Sequence, residues 1–204
     1  MPRTRTRRLR PKAGSLELAI QDELRASIDV KLKLFVDFPS SIERAVFLWH
    51  EVLSKGKKIL FCGNGGSASD CQHIATELVV RLARSRAALP ALALTTDTST
   101  LTATANDFGF DEVFARQIEA HGRRGDLLVA ISTSGRSRNV LKAAQAAAKR
   151  GMRVLALTGA RPNLLARRAD FALAVPSADT QRIQEAHITI LHILCTQTER
   201  LLFP

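Results

Sequence analysis

The chain carries a histidine and a glutamate four positions apart, His73 and Glu77, in the segment Asp70-Cys71-Gln72-His73-Ile74-Ala75-Thr76-Glu77. On a helix that spacing puts both side chains on one face. Such a pair can share a divalent metal, as histidine pairs do in zinc-binding helices, or it can form an ion pair on a solvated surface. Toward the C-terminus, Gln184 and His192 share one side of an amphipathic stretch, about 80° apart around a helix axis. His192 is flanked by Leu191 and Ile193. A lone histidine in such apolar company is ordinarily a hydrogen-bonded core residue, and it joins a reactive site only if the fold brings His73 and Glu77 opposite it.

Two further segments suit a phosphorylated ligand. Gly63-Asn64-Gly65-Gly66-Ser67 lies between an apolar run and a helical pattern; there, glycines let the backbone approach an anion and a helix start offers unpaired N–H groups. Ser132-Thr133-Ser134-Gly135-Arg136-Ser137 puts a cluster of hydroxyls at the same kind of junction. Either loop alone is compatible with an ordinary capped turn, whereas the two together favour a small phosphorylated metabolite. Neither contains Gly-x-Gly-x-x-Gly or a glycine-lysine-serine/threonine P-loop, which disfavours a nicotinamide dinucleotide or a nucleoside triphosphate.

The elements that must hold these residues are legible as periodicity. Leu16, Ile20, Leu24, Ile28 and Leu32 recur at helical spacing up to Phe38, where Pro39 is expected to stop the helix. A second helix is expected from an N-cap at Ser40 or Ser41 to Leu53, giving a helical hairpin in front of the main fold. Short continuous apolar runs then follow at Ile59 to Cys62, Ala91 to Leu94, Leu127 to Ile131, Val154 to Leu157 and Phe171 to Val175. Alternating with helical patterns, such runs read as βαβ units on a parallel sheet with helices on both faces. A long amphipathic helix from about Thr180 to Leu202 closes the chain. The expectation is one α/β domain over 15–204, a doubly wound, flavodoxin-like five-stranded parallel sheet, preceded by a basic disordered tail over 1–14.

The chain's 204 residues, 46% of them hydrophobic, suffice for one domain with a buried core. The longest apolar runs fall far short of the roughly 20 residues a bilayer span needs, and no apolar stretch follows the basic start as a secretory signal would require. A cytoplasmic protein without membrane partners is expected. Cys62, Cys71 and Cys195 form an odd set at spacings that fit neither a disulfide framework nor a zinc ribbon. Of the net charge of +11, six positive charges are Arg3, Arg5, Arg7, Arg8, Arg10 and Lys12. Nucleic acid is therefore not expected as a partner beyond weak contact of phosphates with that tail.

The segments CGNGGSASDCQHIATEL, ATANDFGFDEVFARQIEA, GDLLVAISTSGRSRNVLKAA, GMRVLALTG and QRIQEAHITILHILC, in this order, resemble the sugar isomerase (SIS) domain proteins, and within them the sedoheptulose 7-phosphate isomerases, also called phosphoheptose isomerases. The resemblance covers nearly everything except the basic tail. It implies interconversion of sedoheptulose 7-phosphate and D-glycero-D-manno-heptose 7-phosphate, for the heptoses of bacterial surface glycans such as lipopolysaccharide or a capsule. By position it implies that Asn64, Gly65, Gly66, Ser67, Ser132, Thr133, Ser134 and Ser137 hold the phosphate and sugar hydroxyls. Asn106, Asp107 and Gln184 are also implied at the substrate. His73, Glu77, Gln184 and His192 are implied as ligands of one Zn²⁺ per subunit, and a homotetramer with sites at subunit borders is implied as the assembly.

Glu77 and His192 are the catalytic candidates, since ketose–aldose interconversion moves a proton between C1 and C2 through a cis-enediol and needs a base that can return what it removes. The SIS proteins also include non-catalytic members that bind a sugar phosphate or a replication initiator as regulators. In that subgroup the positions of Glu77 and His192 lack the acid and the imidazole, and this chain keeps both. Thr76, where some family enzymes have glutamate, and Gln181, where some have aspartate, bear on substrate positioning rather than on reaction class.

Overall fold

A computed structural model describes residues 13–204. The basic stretch expected as a tail lies outside the described residues except for Ala13 and Gly14, which open the first helix. Helices α1 (Ala13–Asp37) and α2 (Pro39–Ser54) come first. Pro39 does more than end α1: it occupies the first turn of α2, with Phe38 at the cap and no side-chain cap bond. Ser40 and Ser41, expected as caps, sit inside the helix instead. The reason is that a proline's missing N–H is no loss in the first turn, and its fixed φ already suits a helix.

The remainder alternates strand and helix: β1 (Ile59–Cys62), α3 (Gly66–Val79), β2 (Ala91–Ala93), α4 (Thr98–Phe108), a 3₁₀ turn (Phe110–Glu112), α5 (Ala115–His121), β3 (Leu127–Ser132), α6 (Arg138–Lys149), β4 (Arg153–Gly159), α7 (Leu164–Arg168), β5 (Phe171–Val175) and α8 (Thr180–Leu202). All strand pairs are parallel, in the order β2-β1-β3-β4-β5. The central strands are apolar over Ile59–Cys62, Leu127 to Ile131 and Val154 to Leu157 because both faces are covered there. Ile59, Phe61, Val129, Ile131, Leu155 and Leu157 pack in the core beneath α2, α3 and α8. Their neighbours Leu60, Cys62, Leu128, Ala130, Val154 and Ala156 pack on the opposite face with α5 and α6. The strand order reverses between β1 and β3, and the crevice outside the carboxyl ends at such a reversal is where open α/β sheets bind ligands. The glycine-rich and serine-rich loops follow these two strands.

The apolar stripe of α1 does not face this core. Leu16, Ile20, Leu24, Ile28 and Leu32 are each more than half exposed, whereas Val30 and Leu34 are the buried positions of that helix. Among the described residues no helix is long and apolar enough to cross a membrane.

One buried polar group sets a pH dependence. His187 of α8 is fully buried, and its Nε2–H donates to the Thr158 carbonyl oxygen at 3.2 Å. Nδ1 has no partner. Burial pushes the pKa down from 6.5 to about 4, opposed by the Thr158 carbonyl. The unfolded chain therefore takes up this proton near pH 6.5 and the folded one only near pH 4, so stability is complete above the first value and drains away as pH falls toward the second. The expected loss between pH 7 and pH 5 is about 2 kcal/mol from this residue. Urea melts at the two pH values check it: the change in stability from pH 7 to pH 5 should be less unfavourable by about 2 kcal/mol in His187→Gln than in wild type.

Candidate active site

α3 and α8 both begin at the carboxyl edge of the sheet and lie side by side. Near their starts, Gln184 packs so closely on Gly66 that a Cβ there would meet its Nε2 at 2.5 Å. Seven residues further along α3 and eight along α8, His73 meets His192. The two contacts are about 10–12 Å apart along each axis, so the helices run in the same direction.

At the second contact the Nε2 atoms of His73 and His192 are 2.9 Å apart, with the rings edge to face at 81°. The Oε1 atom of Glu77 is 3.3 Å from the same His73 Nε2, and the Glu77 side chain is 19% exposed. One ligand atom from each of the three residues lies within 4.8 Å of the others. Two facing imidazole nitrogens need either one proton between them or a cation that both lone pairs can address. Two imidazoles and a carboxylate form a donor set suited to a divalent transition metal, so these residues fit a metal ion. His192 is thus no isolated core histidine; its partners come from α3, 119 positions away in sequence. Gln184 is placed two turns away and, among the described residues, makes no hydrogen bond to the three.

The loops meet at the strand-order reversal. Asn64 and Asn139 exchange amide hydrogen bonds, Asn64 Nδ2 to Asn139 Oδ1 at 2.9 Å and Asn139 Nδ2 to Asn64 Oδ1 at 2.8 Å. Asn139 is buried and joins the glycine loop to the start of α6. Sequence reading passed over it, because an asparagine near a helix start resembles an ordinary polar residue and its partner is remote. Ser137 stands at the N-cap of α6 but makes no cap bond; its hydroxyl is 3.0 Å from that of Ser132. The Arg138 and Asn139 N–H groups are thereby available to an anion, while the Val140 N–H is taken by Asn139 Oδ1. Ser134 Oγ accepts from the Arg136 amide. Ser67 is buried at the start of α3, its amide bonded to the Asn64 carbonyl. A cleft of about 140 Å³ opens beside Thr133 and Ser134, with Arg136, Arg161, Ser177 and Thr180 on its walls. By contrast Asn106 and Asp107 are exposed at the end of α4 and hydrogen-bond each other.

Gly135 fixes the shape of the serine loop. Its φ is +60°, and a Cβ there would lie 2.1 Å from the Asn163 side chain. Asn163 has little freedom to withdraw, since Oδ1 accepts from the Ala166 amide and Nδ2 donates to the Arg161 carbonyl. Gly135→Ala is expected to cost about 1–3 kcal/mol and to raise KM for a phosphorylated sugar about tenfold by displacing the loop. Thermal melts and steady-state kinetics check both effects, and an unchanged KM would remove the loop from the ligand site.

Asp70 is a second residue the sequence did not single out. Burial raises its pKa to about 6, opposed by His73, and its Oδ2 is buried without a partner. It lies one turn before His73, on the α3 face that carries the cluster.

The fold defines a doubly wound α/β protein, and the chain belongs to the SIS domain family, whose sequence profile matches residues 26–159. Within that family it is similar to phosphoheptose isomerases. The one from Rhodospirillum rubrum is 49% identical over 183 residues, 88% of this chain and 97% of the relative. The one from Roseiflexus sp. is 50% identical over 182 residues, 89% of this chain and 92% of the relative. The structure of phosphoheptose isomerase from Neisseria gonorrhoeae superposes with a TM-score of 0.86 at 43% identity, covering 91% of this chain and 99% of that one.

Proposed function

We propose that this chain interconverts sedoheptulose 7-phosphate and D-glycero-D-manno-heptose 7-phosphate through an enediol, serving the synthesis of heptoses for lipopolysaccharide or a capsule. The observation that carries the reading is the meeting of Glu77, His73 and His192 about 10 Å along the α3–α8 pair from the glycine-rich loop, which Asn64 ties to Asn139 at the start of α6 behind the serine-rich loop. That separation suits an extended sugar phosphate whose phosphate occupies one end and whose C1 and C2 occupy the other. The names and high coverage of the relatives support the same substrate.

Ser132, Thr133, Ser134 and Ser137 bind the phosphate together with the first N–H groups of α6. Arg136 and Arg161, which have no carboxylate partner among the described residues, add positive charge at the cleft mouth. Asn64, Gly65, Gly66, Ser67 and Gln184 line the sugar's path, and Asn106 and Asp107 reach the hydroxyls of a substrate in a neighbouring subunit. Binding energy gained at the phosphate holds the reacting carbons in place. Glu77 takes the proton from one carbon and returns it to the other, while His192 serves the neighbouring oxygen. Zn²⁺, held by His73, Glu77 and His192, would supply Lewis-acid polarisation of the carbonyl, while Gln184, packed on Gly66 two turns away, stays on the sugar's path rather than joining the ligand set implied by the resemblance.

The assembly proposed is a homotetramer. The exposed stripe of α1 supports it, as does an apolar groove of about 630 Å³ between α1, α2 and α8, lined by Leu34, Phe35, Ile42, Val46, Ile190 and Ile193 among others. Light scattering should give four chains per particle, and Ile28→Glu combined with Leu32→Glu should give a smaller one. The cytoplasm suits the buried, free cysteines.

Incubation of zinc-loaded protein with sedoheptulose 7-phosphate, followed by proton NMR of the aldose anomeric signal, tests the reaction. Aldose should accumulate and chelator should stop it; no turnover by the metal-loaded protein would leave the chain as a non-catalytic binder.

A further inference from the structure

We infer that Arg86 is a positioning residue for the reacting groups: paired with Glu199, it locks the last turn of α3, which carries Glu77, to the face of α8 that carries His192. The activity arm of this inference rests on the isomerase reading above.

Glu77 sits where a helix is weakest. α3 ends at Val79, so the carbonyls around Glu77 are among the last four, which have no partner inside the helix. Arg86, in the connection between α3 and β2, supplies the partner of the Glu77 carbonyl and joins the Leu89 amide at the Leu78 carbonyl. Its Nη2 donates to the Glu77 carbonyl at 2.7 Å and its Nη1 to the Leu78 carbonyl at 2.7 Å. The Nε atom faces Glu199 Oε2 at 2.9 Å, and the two side chains are only 2% and 4% exposed. Glu199 is held in turn, since the Arg84 amide donates to its other oxygen at 3.0 Å. The Phe203 ring covers the guanidinium from 5.9 Å.

Glu199 lies seven residues beyond His192, two turns on along the same face of α8. The Arg86–Glu199 pair is therefore a tether in line with the His73–His192 contact, and it acts on the very turn that carries the Glu77 side chain. A guanidinium is the group that can do this. Its fork of fixed N–H donors reaches a carboxylate and the carbonyls of Glu77, Leu78 and Ala87 at once, which a lysine ammonium on its flexible stem does not reproduce. The sign of the electrostatics agrees: burial alone would raise the pKa of Glu199, but the Arg84 amide and the Arg86 guanidinium overcome it and hold the carboxyl below its ordinary range. Apolar side chains of similar volume could fill the same space and often stabilise a fold as well or better. What they could not do is donate to the Glu77 carbonyl.

Two variants test the inference, Arg86→Lys and the apolar replacement Arg86→Met with Glu199→Leu. Three quantities are read: zinc affinity by competition with a chromophoric chelator, kcat and KM separately, and the thermal midpoint. The apolar pair is expected to fold, yet to bind zinc at least tenfold more weakly and to turn over at least tenfold more slowly, with KM changed less than threefold. Arg86→Lys is expected to show the same pattern. A purely structural role would lower the thermal midpoint and leave the zinc affinity and kcat of the folded protein within threefold of wild type, and that result overturns the inference. Zinc affinity is measured without substrate, which separates the two claims. Arg86-dependent zinc binding in a protein that never isomerises sedoheptulose 7-phosphate removes the isomerase reading alone. Turnover with Arg86-independent zinc affinity and kcat removes this inference alone.

Discussion

Glu77→Gln is expected to lower kcat for sedoheptulose 7-phosphate by about 10²–10⁴-fold, the range in which a positioned general base contributes. Glutamine keeps the length of the side chain and one acceptor oxygen but cannot carry the proton from one carbon to the next. The effect should fall on kcat rather than on the fold. The side chain is partly exposed and its contact with His73, at 3.3 Å, is an i,i+4 pair on a helix surface, an arrangement worth only a few tenths of a kcal/mol. Circular dichroism of the metal-free protein should therefore report an unchanged fold and a midpoint close to wild type, while NMR of the aldose product from the zinc-loaded protein reports the loss. Turnover within tenfold of wild type would show that another group carries the proton.

The second large effect concerns the metal. An ion that binds the folded chain and not the unfolded one stabilises it by RT ln(1 + [L]/Kd), about 2.7 kcal/mol at a hundredfold excess over Kd. For a chain of this size that corresponds to a rise in Tm of about 5–10 °C. Adding zinc to chelator-stripped protein should produce such a rise, and His192→Ala should abolish it by removing one of the two imidazoles that face each other at 2.9 Å. His73→Ala should behave alike, because the cluster draws one ligand atom from each residue. A shift that survives either substitution would place the zinc elsewhere on the protein. Loss of the shift in both, with activity lost in parallel, would tie the ion to these residues.

Much of the architecture was legible because its signals are local. A strand covered on both faces is apolar along its buried middle, so β1, β3 and β4 stand out as continuous runs whatever lies next to them. The glycine-rich and serine-rich loops announce strand-to-helix junctions for the same reason. Boundaries between the two N-terminal helices were less legible, because a proline both ends one helix and suits the start of the next, and only the backbone path chooses. The stripe of α1 was legible as helical but not in its direction: periodicity reports that one side is apolar, not whether that side meets its own core or lies open.

The site divides along the same line. His73 and Glu77 share a helix, and their pairing follows from a spacing of four. His192 meets them only because α3 and α8 lie parallel across one face of the sheet. Asn139 clamps Asn64 from 75 positions away, and Arg86 reaches Glu199 across 113. In sequence both look like the polar residues of an exposed turn; Arg86 even sits in an arginine-rich stretch that would pass for a solvated connection. Short-range order, set by backbone geometry and the burial of apolar runs, was thus written residue by residue in this chain. Which distant donors face one another was decided by how the helices stack on the sheet, because a hydrogen bond or a ligand set depends on separation in space, and packing alone determines that.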